Sequence, residues 1–486
     1  MTFAQKIVSR ITVPYNSITV VKNPDGFLAT DAVVSWLLQT ENVRVVSGSQ
    51  LAIRVDYELH GKASEDKIVY LCNQPDSLLP DMRRLPQITF SLSDLFPLLP
   101  DKQSLSSLAI PELELLFARQ GIKRISLIEQ QTIIASIKQE LEETRKRSLE
   151  TFKQRIEDAS AQIADWSNLH QSIDAASAIV MDAARLGMYE SIEPLLQPLN
   201  TQFQHWVDSL YFAELNANPI LRPHSVNKIL LHLDSAYKKE DKLALVVVDG
   251  FAYWQYLILK NHLSKAELQT QDQASLAWLP TITMLSRQAI FRGDVPHTEY
   301  QQCPPNERKL WIEHWTNKGF SSYEIQYLYD TDEFSIPSEV KRLALVTVEL
   351  DEKMHSSTDY RDLYALTENW CLRFIQKIQI MHDAGFSIIL TTDHGSLFSH
   401  GVESLSAQEK IYLYKDGSRG KRHLMYNDST EQERFYREHM ATLALLKHDN
   451  YLVIRNNECF DRQGATEITH GGSHWMELVI PFVKIL

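Results

Sequence analysis

Three apolar runs that each end in acidic or imidazole side chains constrain this chain more than any other feature. They are LALVVVDG (243–250), LALVTVEL followed by DEKMH (343–355), and FSIILTTDHG (386–395). Runs this apolar suit strands covered on both faces, the environment of a parallel sheet rather than of a half-solvated antiparallel one. Between the second and third lies a stretch of helical periodicity, DYRDLYALTENWCLRFIQKIQIMHDAG (359–385). Strand, helix, strand predicts an α/β domain over 240–486: a mostly parallel sheet with flanking helices, to which YLVIRN (451–456) adds a later strand. Loops at the C-terminal ends of parallel strands are where such folds build their sites.

The rest of the chain has a different texture. Residues 1–104 mix strand and helix signals and predict a small α/β domain. ITVVKNPDGFL (18–28) is an apolar run ending in turn chemistry, VRVVSGSQLAIRVDYELHG (43–61) offers two short strands, and DKIVYLCNQ (66–74) another. Residues 105–239 carry helical periodicity with few prolines or glycines before Pro194, and predict a helical domain or linker bundle. Its charged stretch QELEETRKRSLETFKQRIED has acids and bases at helical spacing, as a solvated face does.

Composition excludes several classes. No apolar stretch approaches the roughly 20 residues that span a bilayer, so no membrane role is expected. The N-terminus MTFAQKIVSRITVPYNS has no continuous apolar segment, so no secretory leader is expected either. Cys72, Cys303, Cys371 and Cys459 are far apart in sequence, which argues against a disulfide scaffold and fits a reducing cytoplasm. A formal charge of −13 disfavours a simple nucleic-acid coat.

The chemistry-bearing residues are Asp249, Thr283, Asp351, His355, Asp393, His394 and His470. Asp249 ends an apolar strand and reads as a hard oxygen ligand or as a helix cap. Thr283, in PTIT (280–283), precedes a stretch able to start a helix, and helix N-termini bind phosphate; Thr281 and Ser286 compete for its role. Asp351 and His355, four apart, share one face if a helix begins there. Asp393 and His394 are adjacent and need a loop, which Gly395 permits. His470 sits in THGG (469–472), with His474 as its rival. Three carboxylates, three imidazoles and a hydroxyl converging on strand ends point to two metal ions and a nucleophile. A mixed oxygen and nitrogen set suits zinc, with manganese or magnesium as alternatives. In KDGSRGKRH (415–423), Lys415, Arg419, Lys421, Arg422 and His423 concentrate positive charge in an acidic chain. Lys421 and Arg422, together with Arg287 one turn beyond Thr283, are candidate phosphate contacts.

The segments VVVDG, PTIT, DEKMH, TTDHG and THGGSHWMELVIP, in this order, resemble the alkaline phosphatase superfamily and, more closely, the PglZ domain of BREX-type phage-defence proteins. The resemblance implies an alkaline-phosphatase-like fold over about 240–486. It assigns Asp351, His355 and His470 to one metal, and Asp249, Thr283, Asp393 and His394 to another, with Thr283 as nucleophile. It further implies a phosphate-ester substrate and other phage-defence proteins as partners. The PTIT segment is similar to that of nucleotide phosphodiesterases, so a phosphodiesterase acting on nucleic acid or a cyclic nucleotide is expected. A phosphomonoesterase is the alternative, since THGGSHWMELVIPF also resembles cofactor-independent phosphoglycerate mutases; so is a scaffold subunit with structural metals. Cys303-Pro-Pro partly mimics a sulfatase signature, but Glu307 stands where that signature has arginine.

Overall fold

The computed structural model describes all residues except 63–66, 76–77, 164–165, 218–221, 331–333, 403–404 and 414–419. The chain forms two compact units, Met1–Glu150 and Thr151–Leu486. The stretch 105–239 is helical and is shared between them.

In the first unit, strands β1 (Ile18–Lys22), β2 (Val43–Val46), β3 (Lys67–Leu71) and β4 (Gln87–Thr89) form one parallel sheet in the order β2-β3-β1-β4. Helices α1 (Phe3–Ile11) and α2 (Asp31–Glu41) contribute Ile7, Ile11 and Leu37 to a core that includes Val21 and Phe96. The second strand expected within 43–61 is instead a helix, α3 (Gln50–Asp56). Ser49 explains the difference: its hydroxyl accepts from the Ala52 amide at 3.2 Å and caps a helix where the apolar run would otherwise extend. Helix α4 (Ile110–Ala118) follows, and the long α5 (Leu127–Gln162) contributes Ile137 to the same core; the unit ends within α5, at Glu150.

The second unit continues with α6 (Leu169–Leu186), α7 (Tyr189–Leu215) and α8 (Ile229–Ala236). Its main sheet is built from β5 (Leu243–Val248), β6 (Thr270–Leu276), β7 (Ile325–Tyr329), β8 (Arg342–Thr347), β9 (Ser387–Thr392) and a strand at 479–485, in the order β6, 479–485, β9, β5, β8, β7. Strands β5, β7, β8 and β9 pair in parallel, and the 479–485 strand runs antiparallel between β9 and β6. The expected mostly parallel sheet is thus present. Every residue of β5 and of β8 is buried, which requires cover on both faces. That cover comes from helices α9 (Tyr253–Lys265), α10 (Thr283–Arg292), α11 (Pro304–Asn317), α12 (Glu349–Met354) and α13 (Tyr360–Asp383); α6, α9 and α13 pack against one another, and α10 packs against α8 and α11.

YLVIRN does not join this sheet. It forms the middle strand of a separate antiparallel sheet, between 423–425 and 445–448. A two-residue connection, with Asp449 at φ +48°, folds it back on the preceding strand, and so short a link excludes a parallel crossover. Among the described residues, no helix is long and apolar enough to cross a membrane.

Candidate metal and phosphoester site

Strand direction decides where the five segments meet. Because β5, β8 and β9 are parallel, their last residues, Val248, Thr347 and Thr392, lie at one edge of the sheet. Asp249, Asp351 and Asp393-His394 follow those ends directly or within four residues. The 479–485 strand runs the other way, so its start lies at the same edge, and the THGG loop leads into it. Strand β6, antiparallel to it, ends there as well and delivers Thr283.

Asp249 does not cap the next helix, since α9 begins after Ala252. Its buried carboxylate instead faces three neighbours. Oδ1 accepts from the Thr283 hydroxyl at 3.3 Å and lies 3.8 Å from His394 Nε2, while Oδ2 accepts from Arg287 Nη1 at 2.7 Å. Thr283 is the first residue of α10, and its Oγ is 3.0 Å from His394 Nε2. Its two rivals are committed elsewhere. Thr281 is fully buried, donates to the Gly472 carbonyl at 2.8 Å and accepts from the Gly471 amide. Ser286 accepts from the Trp278 amide.

Asp393 is fully buried. Oδ1 accepts from the amides of Gly250 (3.2 Å) and His394 (3.0 Å), and Oδ2 has no hydrogen-bond partner. Asp351 and His355 meet across one turn at 3.5 Å, and Asp351 Oδ1 is likewise buried and unpartnered. Gly250, at φ +67°, makes room for Asp351: a Cβ there would stand 2.6 Å from its Oδ1. Among the described residues, Asp249, Asp393 and His394 bring ligand atoms within 4.8 Å of one another.

The three imidazoles share one arrangement. His394 Nδ1 faces the Gly395 carbonyl (3.0 Å), His355 Nδ1 that of Ile468 (3.1 Å), and His470 Nδ1 that of Thr281 (2.9 Å). A carbonyl can only accept, so each Nδ1 carries the proton and each Nε2 keeps its lone pair. His474 is different. Its Nδ1 accepts from the Met476 amide at 3.2 Å and caps the short helix Trp475–Leu478, so it is turned away from this cluster.

Burial and mutual repulsion shape the charges. Burial raises Asp249 well above the carboxylate range, and the neighbouring Asp393 raises it further. Burial also raises Asp393. For Asp351 burial raises the pKa, but its interactions with His355 and His470 outweigh that and leave the group lowered. Burial, followed by repulsion from His394, lowers His470 to about 3. Buried carboxylate oxygens without hydrogen-bond partners, beside imidazole nitrogens that keep their lone pairs, are donors that a divalent cation takes. The residues present therefore fit divalent metals.

The three expected phosphate contacts, Arg287, Lys421 and Arg422, each pair with a carboxylate of the chain. Arg287 is 4% exposed, and its guanidinium lies between Asp249 and Glu307. Arg422 is fully buried, pairs with Glu477 at 2.9 Å and donates to the carbonyls of Glu458 and Asn456. Glu477 in turn accepts from the amides of Gly472 and His474, so the pair braces the THGG loop from within. Lys421 Nζ is held between Asp461 (2.8 Å) and Glu467 (2.7 Å). All three cations are occupied inside the fold. Lys415 and Arg419 of the same basic stretch lie outside the described residues. In sequence Glu307 stands out only as a departure from the sulfatase signature, and its full burial against Arg287 is visible only in the structure.

The fold is that of the alkaline phosphatase-like class of hydrolases. Residues 231–485, just over half of the chain, match the family model for the BREX system PglZ alkaline phosphatase-like domain, and the chain belongs to that family. Similar solved structures include phosphonoacetate hydrolase from Sinorhizobium meliloti 1021 in complex with phosphonoacetate, at 13% identity, covering 50% of this chain and 89% of that one, with a TM-score of 0.34. Murine ectonucleotide pyrophosphatase/phosphodiesterase 5 matches at 12% identity, 50% and 88% coverage and a TM-score of 0.34. Its human counterpart matches at 14%, 50%, 87% and 0.30. No curated protein matches the chain.

Proposed function

We propose that this chain is a metal-dependent phosphodiesterase, acting on nucleotide or nucleic-acid diesters with Thr283 as nucleophile, in antiphage defence. One observation carries the reading: a partly exposed threonine hydroxyl at a helix N-terminus, 3.0 Å from the unprotonated nitrogen of a buried histidine and 3.3 Å from a buried carboxylate. A scaffold with structural metals has no need of that hydroxyl.

Asp249, Asp393 and His394, with Thr283, would hold one divalent ion, and Asp351, His355 and His470 a second; zinc fits the mixed donors. Bound there, such ions lower the pKa of a nearby hydroxyl and neutralise charge on phosphoryl oxygens. The chain's own groups do the rest. The first turn of α10 holds Thr283 Oγ in place, and the positive end of that helix favours the phosphoryl group. Oγ loses its proton to solvent and attacks phosphorus in line, the bond to the leaving oxygen breaks as that oxygen takes a proton from water, and a nucleotidyl-threonine forms. Water then attacks phosphorus and returns the hydroxyl to Thr283. The cysteines, free among the described residues, suit a reducing cytoplasm, where other defence proteins would be the partners.

The test is hydrolysis of bis(4-nitrophenyl) phosphate and 4-nitrophenyl phosphate by the purified chain and by Thr283→Ala, with bound metal counted in both. The diester should be cleaved, and the variant should lose about 10³-fold or more in kcat with its metal retained. Turnover of the monoester alone would replace the diester reading by a phosphomonoesterase. Activity undiminished in Thr283→Ala would remove the nucleophile.

A further inference from the structure

Behind Asp249 lies a second ion pair, between Arg287 of α10 and Glu307 of α11, a helix that carries none of the site segments. Arg287 Nη1 donates to Asp249 Oδ2 at 2.7 Å, and its Nε donates to Glu307 Oε1 at 2.5 Å. Glu307, in the first turn of α11, is fully buried. It also accepts from the Tyr327 hydroxyl of β7 at 2.6 Å and from the side-chain amide of Gln302. Three side chains, Asp249, Gln302 and Tyr327, thus close around one guanidinium and one carboxylate.

Charge counting shows what the arrangement does. Asp249 and Asp393 bring two negative charges to the ligand cluster. A buried arginine 2.7 Å from Asp249 would by itself cancel one of them and oppose a dication. Glu307 supplies the compensating charge at 2.5 Å, so two net negative charges remain for a divalent ion. The guanidinium can then hold Asp249 Oδ2 and leave Oδ1 turned toward Thr283 and His394.

We propose that Glu307, through Arg287, is a positioning residue for the metal centre. It neutralises the guanidinium that orients Asp249, keeps the cluster's charge matched to a dication, and limits Asp249 to one ligand oxygen. Arg287 is accordingly a clamp on a metal ligand and not a contact for phosphate. The inference rests on the reading above that Asp249, Asp393 and His394 hold a divalent ion.

The experiment is calorimetric titration of the metal-stripped full chain with Zn²⁺. Glu307→Gln keeps the side chain's volume and its acceptor for Arg287 Nε but removes the charge; affinity should fall 10- to 100-fold, the usual cost of altering a partner of a metal ligand. Combining it with Arg287→Met removes both charges, and affinity should return toward that of the wild type, which a merely structural role would not produce. Tyr327→Phe, which removes one donor from Glu307 and leaves the ion pair, should weaken binding in the same direction and carries the test if Glu307→Gln fails to fold. Wild type binding zinc while Glu307→Gln binds it equally well would overturn the inference and leave the site intact. Wild type binding no zinc would overturn the metal reading itself. Arg287→Met raising KM for the diester at unchanged zinc affinity would return the guanidinium to phosphate binding.

Discussion

The imidazoles of His394 and His470 stack with ring centroids 4.1 Å apart and planes 18° apart. They arrive from separate loops, and they belong to the two different ligand groups proposed above. Each turns Nδ1–H to a backbone carbonyl, so the stack presents two lone pairs side by side. Two buried rings this close cannot both carry charge, and repulsion from His394 is the second reason that His470 is held down to about 3. Divalent ions would occupy the lone pairs and neutralise the carboxylates beneath them.

Metal removal should therefore destabilise the second unit. Saturation at 100 times Kd contributes about 2.7 kcal/mol per site, since the unfolded chain cannot assemble the ligands. Scanning calorimetry with and without chelator should show the melting temperature fall on chelation and recover on adding zinc. An unchanged melting temperature would count against both ligand groups.

His474 should give the protein an acid sensitivity that is separate from the site. Burial, and then the charge of Arg422, lower its pKa well below the ordinary 6.5. As pH falls through 6.5 the unfolded chain takes up a proton that the folded one refuses. The stability is thus complete above 6.5 and is lost as pH falls below it, at about 1.4 kcal/mol per pH unit for one proton. His474→Asn keeps a capping side chain but cannot titrate. Denaturant unfolding at pH 7.5 and 5.5 should show a smaller loss in the variant; equal losses would mean that another group sets the slope.

Arg422 is expected to act on stability and not on substrate affinity. Arg422→Met strands the fully buried Glu477 without its partner, at about 3–5 kcal/mol. Urea unfolding measures that loss. KM for the diester should be unchanged in the folded variant, whereas a phosphate-binding arginine would raise it.

Gly250 should tolerate no side chain. At φ +67° an alanine costs about 1–2 kcal/mol in backbone strain. Its Cβ would also meet Asp351 Oδ1 at 2.6 Å and Met354 Cε at 2.8 Å. Gly250→Ala should lower stability by at least that strain and lose metal from the group containing Asp351, as read by urea unfolding and by bound-metal count. Full metal content in the variant would show that Asp351 is free to move.

Much of the fold could be read from apolar runs, because a strand buried on both faces must be apolar throughout. β5 is of this kind, β8 and β9 are so in their middles (343–346 and 388–390), and the helical period of 359–385 matches α13 closely. Strand β6, TQDQASL, was hidden because it lies at the sheet's edge and keeps polar residues there. The second strand expected in 43–61 failed on a cap, a single side-chain hydrogen bond that outweighs apolar content.

Sequence by itself determined which residue types stand at the strand ends and in what order, since alternation and apolar length are local properties. Tertiary structure alone decided where each polar side chain turns. Thr281 and Thr283 are two residues apart, yet one hydroxyl is bound to Gly472 and the other faces His394. His470 and His474 are four apart, yet one shares a stack with His394 and the other caps a helix. Arg287, Lys421 and Arg422 look like free cations in sequence, and each is claimed by a carboxylate at least 20 residues away, Glu307 being the nearest. A buried polar group takes the partner that packing brings to it, and that partner is rarely a neighbour in the chain.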